Sequence, residues 1–314
     1  MSWSGGSDVL SVAIICGPTA AGKSALAMGL AARTGALLIS ADSRQIYRGF
    51  DIGTAKPSTS DRAAVSHWGV DIVQPTERYS AALWSSGALT ALRDAAAREQ
   101  PAIVVGGTGF YLRALEEPLF VSPPLDPIRR VEVLAALALE TTDVLRQRCR
   151  GIDPLRAELG RTQLLRALET FELTGRPLSA WLTERARTSE VRAHYLLVDP
   201  GAVLRERIAA RLMQMLDSGW EREVAVLSRV TAPDAPAWNA CGYATIRAAL
   251  AGAMTLDAAI ERSIIDTRQY AKRQRTWFRH QLPSERVTHI NPDAPDAQTR
   301  AQAWLDAVSL TEHL

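Results

Sequence analysis

Short apolar runs that stop abruptly at glycine or small polar residues recur in the first hundred positions: residues 9–16, 36–40 and 101–105. Unbroken runs of this length, rich in Val, Ile and Leu, predict strands buried on both faces. Between them lie alanine- and leucine-rich stretches with helical spacing, residues 24–33 and 80–98, with Ser80 placed to cap the second. Strand alternating with helix predicts a parallel sheet with helical crossovers. Residues 68–73 predict one more short strand, while 49–57 read as irregular and turn-rich.

From Leu119 the pattern changes. Pro118, Pro123, Pro124 and Pro127 predict a linker. Residues 129–188 then alternate helical runs with no strand signal; one runs through 164–169 and is stopped by Gly175-Arg176-Pro177. Residues 194–200 restore a strand, and helices follow over 204–216, 221–230 and a long 256–278. A strand at 287–290 and a closing helix at 297–310 complete the pattern. The fold class is therefore α/β, with residues 1–118 and 192–314 expected to form the catalytic core and its C-terminal helices. Residues 119–191 are expected to form a helical insertion domain.

Composition narrows the class. The 314 residues are 47% hydrophobic and 22% charged, as in soluble globular proteins. No apolar run reaches bilayer length, and residues 1–8 are polar and lack a signal pattern, so the expectation is a cytoplasmic protein with no membrane partner. Cys16, Cys149 and Cys241 are too few and too far apart for a metal cluster or a disulfide framework. A net charge of +2 does not announce a nucleic-acid binder, so any basic surface must be local. Lys23, Lys56 and Lys272 are the only lysines, and each falls in a stretch singled out below.

The chemistry gathers at strand ends. Gly17-Pro18-Thr19-Ala20-Ala21-Gly22-Lys23-Ser24 follows the first strand and opens the first helix. Two glycines five apart, then Lys and Ser, form a phosphate cradle: backbone N–H groups and the helix dipole face an anion, Lys adds a mobile charge, and Ser a hydroxyl for Mg²⁺. The fold class sharpens to a P-loop NTPase-like parallel sheet core. Asp42 stands just past the second strand, where it is a turn former or a functional carboxylate. Gly106-Gly107-Thr108-Gly109 makes a tight turn after the strand at 101–105. Both of these strands are expected beside the loop's strand, which would converge three polar ends on the carboxyl edge where such sheets bind ligands. Residues 267–279 place five cations among aromatics on the long helix; they read either as a solvated face or as phosphate contacts, with Trp277 and Phe278 packing the core.

These residues resemble a known family. The carriers are Gly17 to Ser24; Ile39-Ser40-Ala41-Asp42-Ser43 with Ile46-Tyr47; Asp51-Ile52-Gly53-Thr54-Ala55-Lys56-Pro57; Tyr79-Ser80-Ala81; Val105 to Gly109 with Tyr111; Arg166-Ala167-Leu168-Glu169; and Thr267-Arg268-Gln269 through Trp277. Together they resemble the bacterial tRNA dimethylallyltransferases, which prenylate adenosine 37 beside the anticodon. The resemblance implies a donor, dimethylallyl diphosphate, gripped by Gly17, Pro18, Thr19, Ala20, Ala21, Gly22, Lys23 and Ser24, with Mg²⁺ on Ser24. It implies Asp42 as the base on N6 of adenine, Thr108 as a positioning group and Lys23 as the stabiliser of the leaving charge. It implies tRNA contacts from Asp42, Ser43, Arg44, Gln45, Thr108, Arg130, Gln163 and Arg166, and a monomer without an obligate protein partner. The sequence departs from the family at three places. Ala225 stands where the family has a diphosphate-holding arginine, leaving the role to Arg222 or an arginine elsewhere. Glu158-Leu159-Gly160-Arg161 shortens a segment before an RNA-contacting helix, and Asn239-Ala240-Cys241-Gly242-Tyr243-Ala244 replaces an arginine-flanked motif. Two alternatives share the loop: a small-molecule or nucleotide kinase using ATP, and a non-catalytic RNA-binding protein that keeps the loop as a switch.

Overall fold

Six parallel strands frame the larger of two units. The computed structural model describes residues 9–117, 125–184 and 189–310. The chain divides into a unit of Met1–Glu117 with Ser189–Leu314 and a unit of Pro118–Thr188. The first begins β1 (Leu10–Cys16), α1 (Lys23–Thr34), β2 (Leu37–Ala41), α2 (Thr59–Ala64), β3 (His67–Trp68), α3 (Ala81–Ala97), β4 (Ala102–Gly106) and α4 (Gly109–Glu116). The second unit holds α5 (Pro127–Ala138), α6 (Thr142–Ile152), α7 (Arg161–Thr174) and α8 (Leu178–Glu184). The first resumes with β5 (Val191–Val198), α9 (Leu204–Asp217), α10 (Trp220–Val230), α11 (Tyr243–Leu250), α12 (Leu256–Gln281), β6 (Val287–Ile290) and α13 (Ala297–Leu310).

The sheet order is β3-β2-β4-β1-β5-β6. Cys16 and Ala41 both stand opposite Gly106, so β1, β4 and β2 end at one level. One expectation is corrected here. The strand before Thr108 is indeed next to the loop's strand, but the strand before Asp42 is not, because β4 lies between them. A crossover helix can span two strand spacings, and chain order does not set spatial order in such a sheet. The strand expected over 68–73 is also shorter: pairing covers His67–Trp68, and Val73 adds a single bridge to Tyr47. Gly69 and Asp71 adopt positive φ, which an extended run does not tolerate.

Two apolar clusters hold this unit together. One joins Ile15, Leu26, Leu30, Leu38 and Leu196 to Ala301 and Leu305 of α13. The other is aromatic: Phe50 sits with ring centroids 5.0 Å from Trp238 and 4.8 Å from Tyr243. It anchors the 51–57 segment, since Glu223 accepts from the N–H groups of Asp51 and Ile52 and the Tyr243 hydroxyl accepts from Gly53. Lys56 is almost wholly enclosed and donates to Asp51, Asp71 and the Tyr47 carbonyl, so the segment is irregular in backbone yet fully tied down.

In the second unit Leu137, Leu145, Cys149, Leu164, Leu168 and Leu178 form the core. Pro127 opens α5 rather than continuing a linker; Asp126 caps that helix by accepting from Ile128 and Arg129. Pro118, Pro123, Pro124 and the N-terminal stretch 1–8 lie outside the described residues. No described helix is long and apolar enough to cross a membrane.

Candidate active site

The loop after β1 depends on its glycine. Gly17 has φ +147°, and a Cβ there would lie 2.2 Å from the Val198 carbonyl oxygen, so only glycine lets the chain turn beside β5. Gly106 meets the same limit against the Ala41 carbonyl, which keeps β4 and β2 tight where they end. Lys23 Nζ donates 2.7 Å to the Pro18 carbonyl and closes the cradle on itself. Burial lowers the Lys23 ammonium to about 8, with repulsion from Arg211 adding to this and attraction to Asp42 opposing it. At the loop's root, burial pushes the Cys16 thiol up to about 12, so it stays neutral.

Asp42 follows β2 in a turn that its own side chain makes: Oδ1 accepts from the Arg44 N–H at 2.8 Å. It is thus a turn former and a candidate base at once, with Oδ2 left for other chemistry. Thr108 reaches the same place from β4. Its N–H donates to the Ala41 carbonyl, and its Oγ1 accepts from the Ser43 N–H at 3.0 Å. Ser43 and Thr108 are therefore locked together. Gln45 faces inward: Oε1 accepts from the Ser40 hydroxyl, and Nε2 donates to the carbonyls of Thr54 and Ala55.

Three cavities meet around these groups. The first, about 660 Å³, has an apolar wall of Ile208, Leu212, Met215 and Ala240 and shares Thr19 and Asp42 with the loop side. The second, about 910 Å³, contains Thr19, Lys23, Ser24, Asp42 and Gln45. The third is lined by Ser43, Arg44, Thr108, Arg273, Trp277 and Phe278. Tyr270 borders all three. Burial pushes its phenol well up, so it remains a neutral hydroxyl beside Thr108.

The long helix α12 contributes more than the sequence reading assigned it. Gln274 is buried; its Oε1 accepts from the Thr19 N–H and its Nε2 donates to the Gly107 carbonyl, both at 2.8 Å. One amide side chain thus joins the phosphate loop to the turn that carries Thr108. Of the basic run, Lys272, Arg273 and Arg279 are exposed, Arg275 pairs with Asp199, and Phe278 is buried. Trp277 packs over Gly109, where a Cβ would come within 2.4 Å of its ring. Tyr270 and Gln274 stand four apart on one helical face, a spacing visible in the sequence but weak without the site to aim at.

Arg130, Gln163 and Arg166 belong to the second unit and are exposed there. Arg130 pairs with the buried Glu169. Arg161, in the shortened segment, spends its guanidinium on the carbonyls of Ala138 and Glu140. Ala225 and Arg222 lie on α10, with Arg222 exposed and neither lining the three cavities.

The family model described as IPP transferase matches residues 45–281, and one described as isopentenyl transferase matches 10–66. A tRNA dimethylallyltransferase of Gloeobacter violaceus is 39% identical over 95% of this chain and 97% of its own length. One of Halorhodospira halophila is 42% identical over 88% and 92%. Among solved structures, the tRNA isopentenylpyrophosphate transferase of Bacillus halodurans aligns with a TM-score of 0.68 at 30% identity, covering 97% of this chain and 99% of that one. A eukaryotic dimethylallyltransferase caught acting on tRNA aligns with a TM-score of 0.79 at 25% identity, covering 96% and 78%.

Proposed function

The chain belongs to the tRNA dimethylallyltransferase family, and on that footing we propose how its residues carry out the transfer of a dimethylallyl group to N6 of adenosine 37. The donor is dimethylallyl diphosphate. Its diphosphate lies in the cavity of Thr19, Lys23 and Ser24, and its prenyl tail against Ile208, Leu212 and Met215. Adenine enters from the side of Thr108, Arg44 and Trp277, out of the base stack, since N6 is unreachable inside it. N6 attacks C1 of the prenyl group, the C1–O bond breaks, and its electron pair leaves with the diphosphate. Asp42 accepts the N6 proton, and Thr108, fixed through Ser43, holds the amine in line. Lys23 and the loop amides offset the charge that develops on the leaving oxygen.

Mg²⁺ is the metal we assign. It keeps most of its water and needs only one or two protein oxygens besides phosphate. The Ser24 hydroxyl at the start of α1 suits that demand. No group of three or more His, Cys, Asp or Glu side chains placed to hold a metal ion occurs among the described residues. When bound it supplies Lewis-acid relief of the leaving charge. Ser43 and Arg44 are the RNA contacts nearest the chemistry, and Arg130, Gln163 and Arg166 those on the helical unit. Gln45 we place as a brace for the 54–55 turn.

The observation that carries this reading is the sharing of Thr19 and Asp42 between the phosphate cavity and the apolar one. Phosphoryl transfer by itself calls for no apolar wall such as Ile208, Leu212 and Met215 beside the phosphates. The test is incubation with labelled dimethylallyl diphosphate and an anticodon stem-loop bearing three adenosines at the target. Label on N6 without ATP is expected; ATP consumption with no label on the RNA would overturn the proposal.

A further inference from the structure

Gln274 lies in the later half of α12, only 6% exposed, and lines both the loop cavity and the cavity of Ser43 and Thr108. A buried amide needs partners for its oxygen and its nitrogen. Gln274 finds them in two different loops: the Thr19 N–H donates to Oε1, and Nε2 donates to the Gly107 carbonyl, each at 2.8 Å. Glycine at 107 permits the approach, since a Cβ there would lie 2.4 Å from Nε2. Each bond falls on a peptide plane already held at its other end. The Gly107 carbonyl shares its plane with the Thr108 N–H, which donates to the Ala41 carbonyl at 3.1 Å. The Thr19 N–H shares its plane with the Pro18 carbonyl, which accepts from Lys23 Nζ at 2.7 Å. The carboxamide is planar for the same resonance reason, so its two bonds keep a fixed relative direction.

From this double pinning we propose that Gln274 is a positioning residue of the prenyl transfer. It sets the phosphate loop, which holds the leaving group, against the turn of Thr108, which holds the amine; this rests on the site assignments made above. Exchange at C1 needs the departing oxygen and the incoming nitrogen in line through one carbon. A misplacement of about an ångström there costs about a hundredfold in rate. The Thr19 N–H is spent on the tie, so the diphosphate is gripped by the remaining loop amides and Lys23. When Lys23 turns from the Pro18 carbonyl to the diphosphate, Gln274 still holds the Pro18–Thr19 plane.

Gln274→Met keeps the side-chain volume and removes both bonds; Gln274→Asn keeps the amide on a stem one methylene too short to reach both loops. Transfer is measured in single turnover at saturating dimethylallyl diphosphate and stem-loop. KM for each substrate and the calorimetric affinity for inorganic diphosphate are measured beside it. Both variants are expected to slow transfer about ten- to a hundredfold, with both KM values and diphosphate affinity within about threefold of wild type. A residue that acts through another has a further signature. Gln274→Met combined with Thr108→Val is expected to lose well under the product of the two single losses, because the turn then carries no hydroxyl to aim. Transfer within about twofold of wild type in Gln274→Met, losses that multiply in the double variant, or raised KM values with an unchanged rate would overturn the proposal. Should Gln274→Met not fold, wild-type transfer by Gln274→Asn, or multiplying losses when Gln274→Asn is combined with Thr108→Val, would do so. A wild-type protein that puts no label on the RNA would instead overturn the site assignments themselves.

Discussion

The carboxyl edge of the sheet and the helical unit of Pro118–Thr188 are built on opposite principles. At the sheet edge, positions are set by backbone. Gly17 and Gly106 admit no side chain, Thr108 hangs on the Ala41 carbonyl, and Gln274 ties two loops through their main chains. In the helical unit, helices pack on one leucine-rich core and polar side chains lace the surface: Arg148 spans Glu140 and Glu172, and Arg130 covers Glu169. The first arrangement suits chemistry, which fails when atoms move by an ångström. The second suits contact with a phosphate backbone, where many modest interactions add up. Substitutions should therefore act steeply and locally at the edge and shallowly in the helical unit.

The steepest expected effect is at Asp42. Asp42→Asn keeps the acceptor that the Arg44 N–H uses and removes the base. Turnover should fall about a hundred- to ten-thousandfold in single-turnover assays while diphosphate binding stays. Near-normal turnover would break the contrast, because the edge would then tolerate loss of its central group.

A smaller effect follows from Lys23. Its folded value of about 8 lies below the ordinary lysine value of 10.5, so in the free protein it is charged below pH 8 and loses its proton above. Through this group diphosphate affinity should be flat below pH 8 and weaken as pH rises through it, by at most about tenfold per unit. Between about 8 and 10.5 the unfolded chain keeps a proton that the fold has lost, so through this group the ligand-free fold gains stability as pH rises. Calorimetric titration of inorganic diphosphate against pH checks the first statement, and Lys23→Met should erase the step.

The shallowest effect is expected at Arg130. Arg130→Ala leaves Glu169 buried without its cation and should cost about 1–2 kcal/mol of stability. If the residue also touches phosphate, RNA affinity should drop several-fold and the salt dependence should lose about one unit of slope. An unchanged slope would sharpen the comparison differently, assigning Arg130 to the fold alone.

Most strands and helices could be read from periodicity, and the strand at Val287–Ile290 and the helix at Ala297–Leu310 match residue for residue. Helices α2, α4 and α11 escaped because each is short and starts at a turn: α2 behind Ser58, α4 behind Thr108 and α11 behind Gly242. In such short segments a helical period has no room to repeat. Of the candidate site, Gly17 to Ser24, Asp42 and Thr108 were visible because each interrupts an apolar run at its end. Arg211, Tyr270 and Gln274 were not, because a polar residue on an amphipathic helix looks the same whether it meets water or a cavity.

By itself the chain determined its loop, its strand ends and its family, since a buried run followed by glycine and lysine is a local instruction. The tertiary structure alone placed β4 between the loop's strand and that of Asp42, and brought Arg211 and Gln274 from almost two hundred residues or more away onto the same edge. Helical periodicity says that a face exists, whereas packing decides what that face meets. That Arg211 lines the cavity of Lys23 and Ser24 therefore became visible only once α9 was set against the loop.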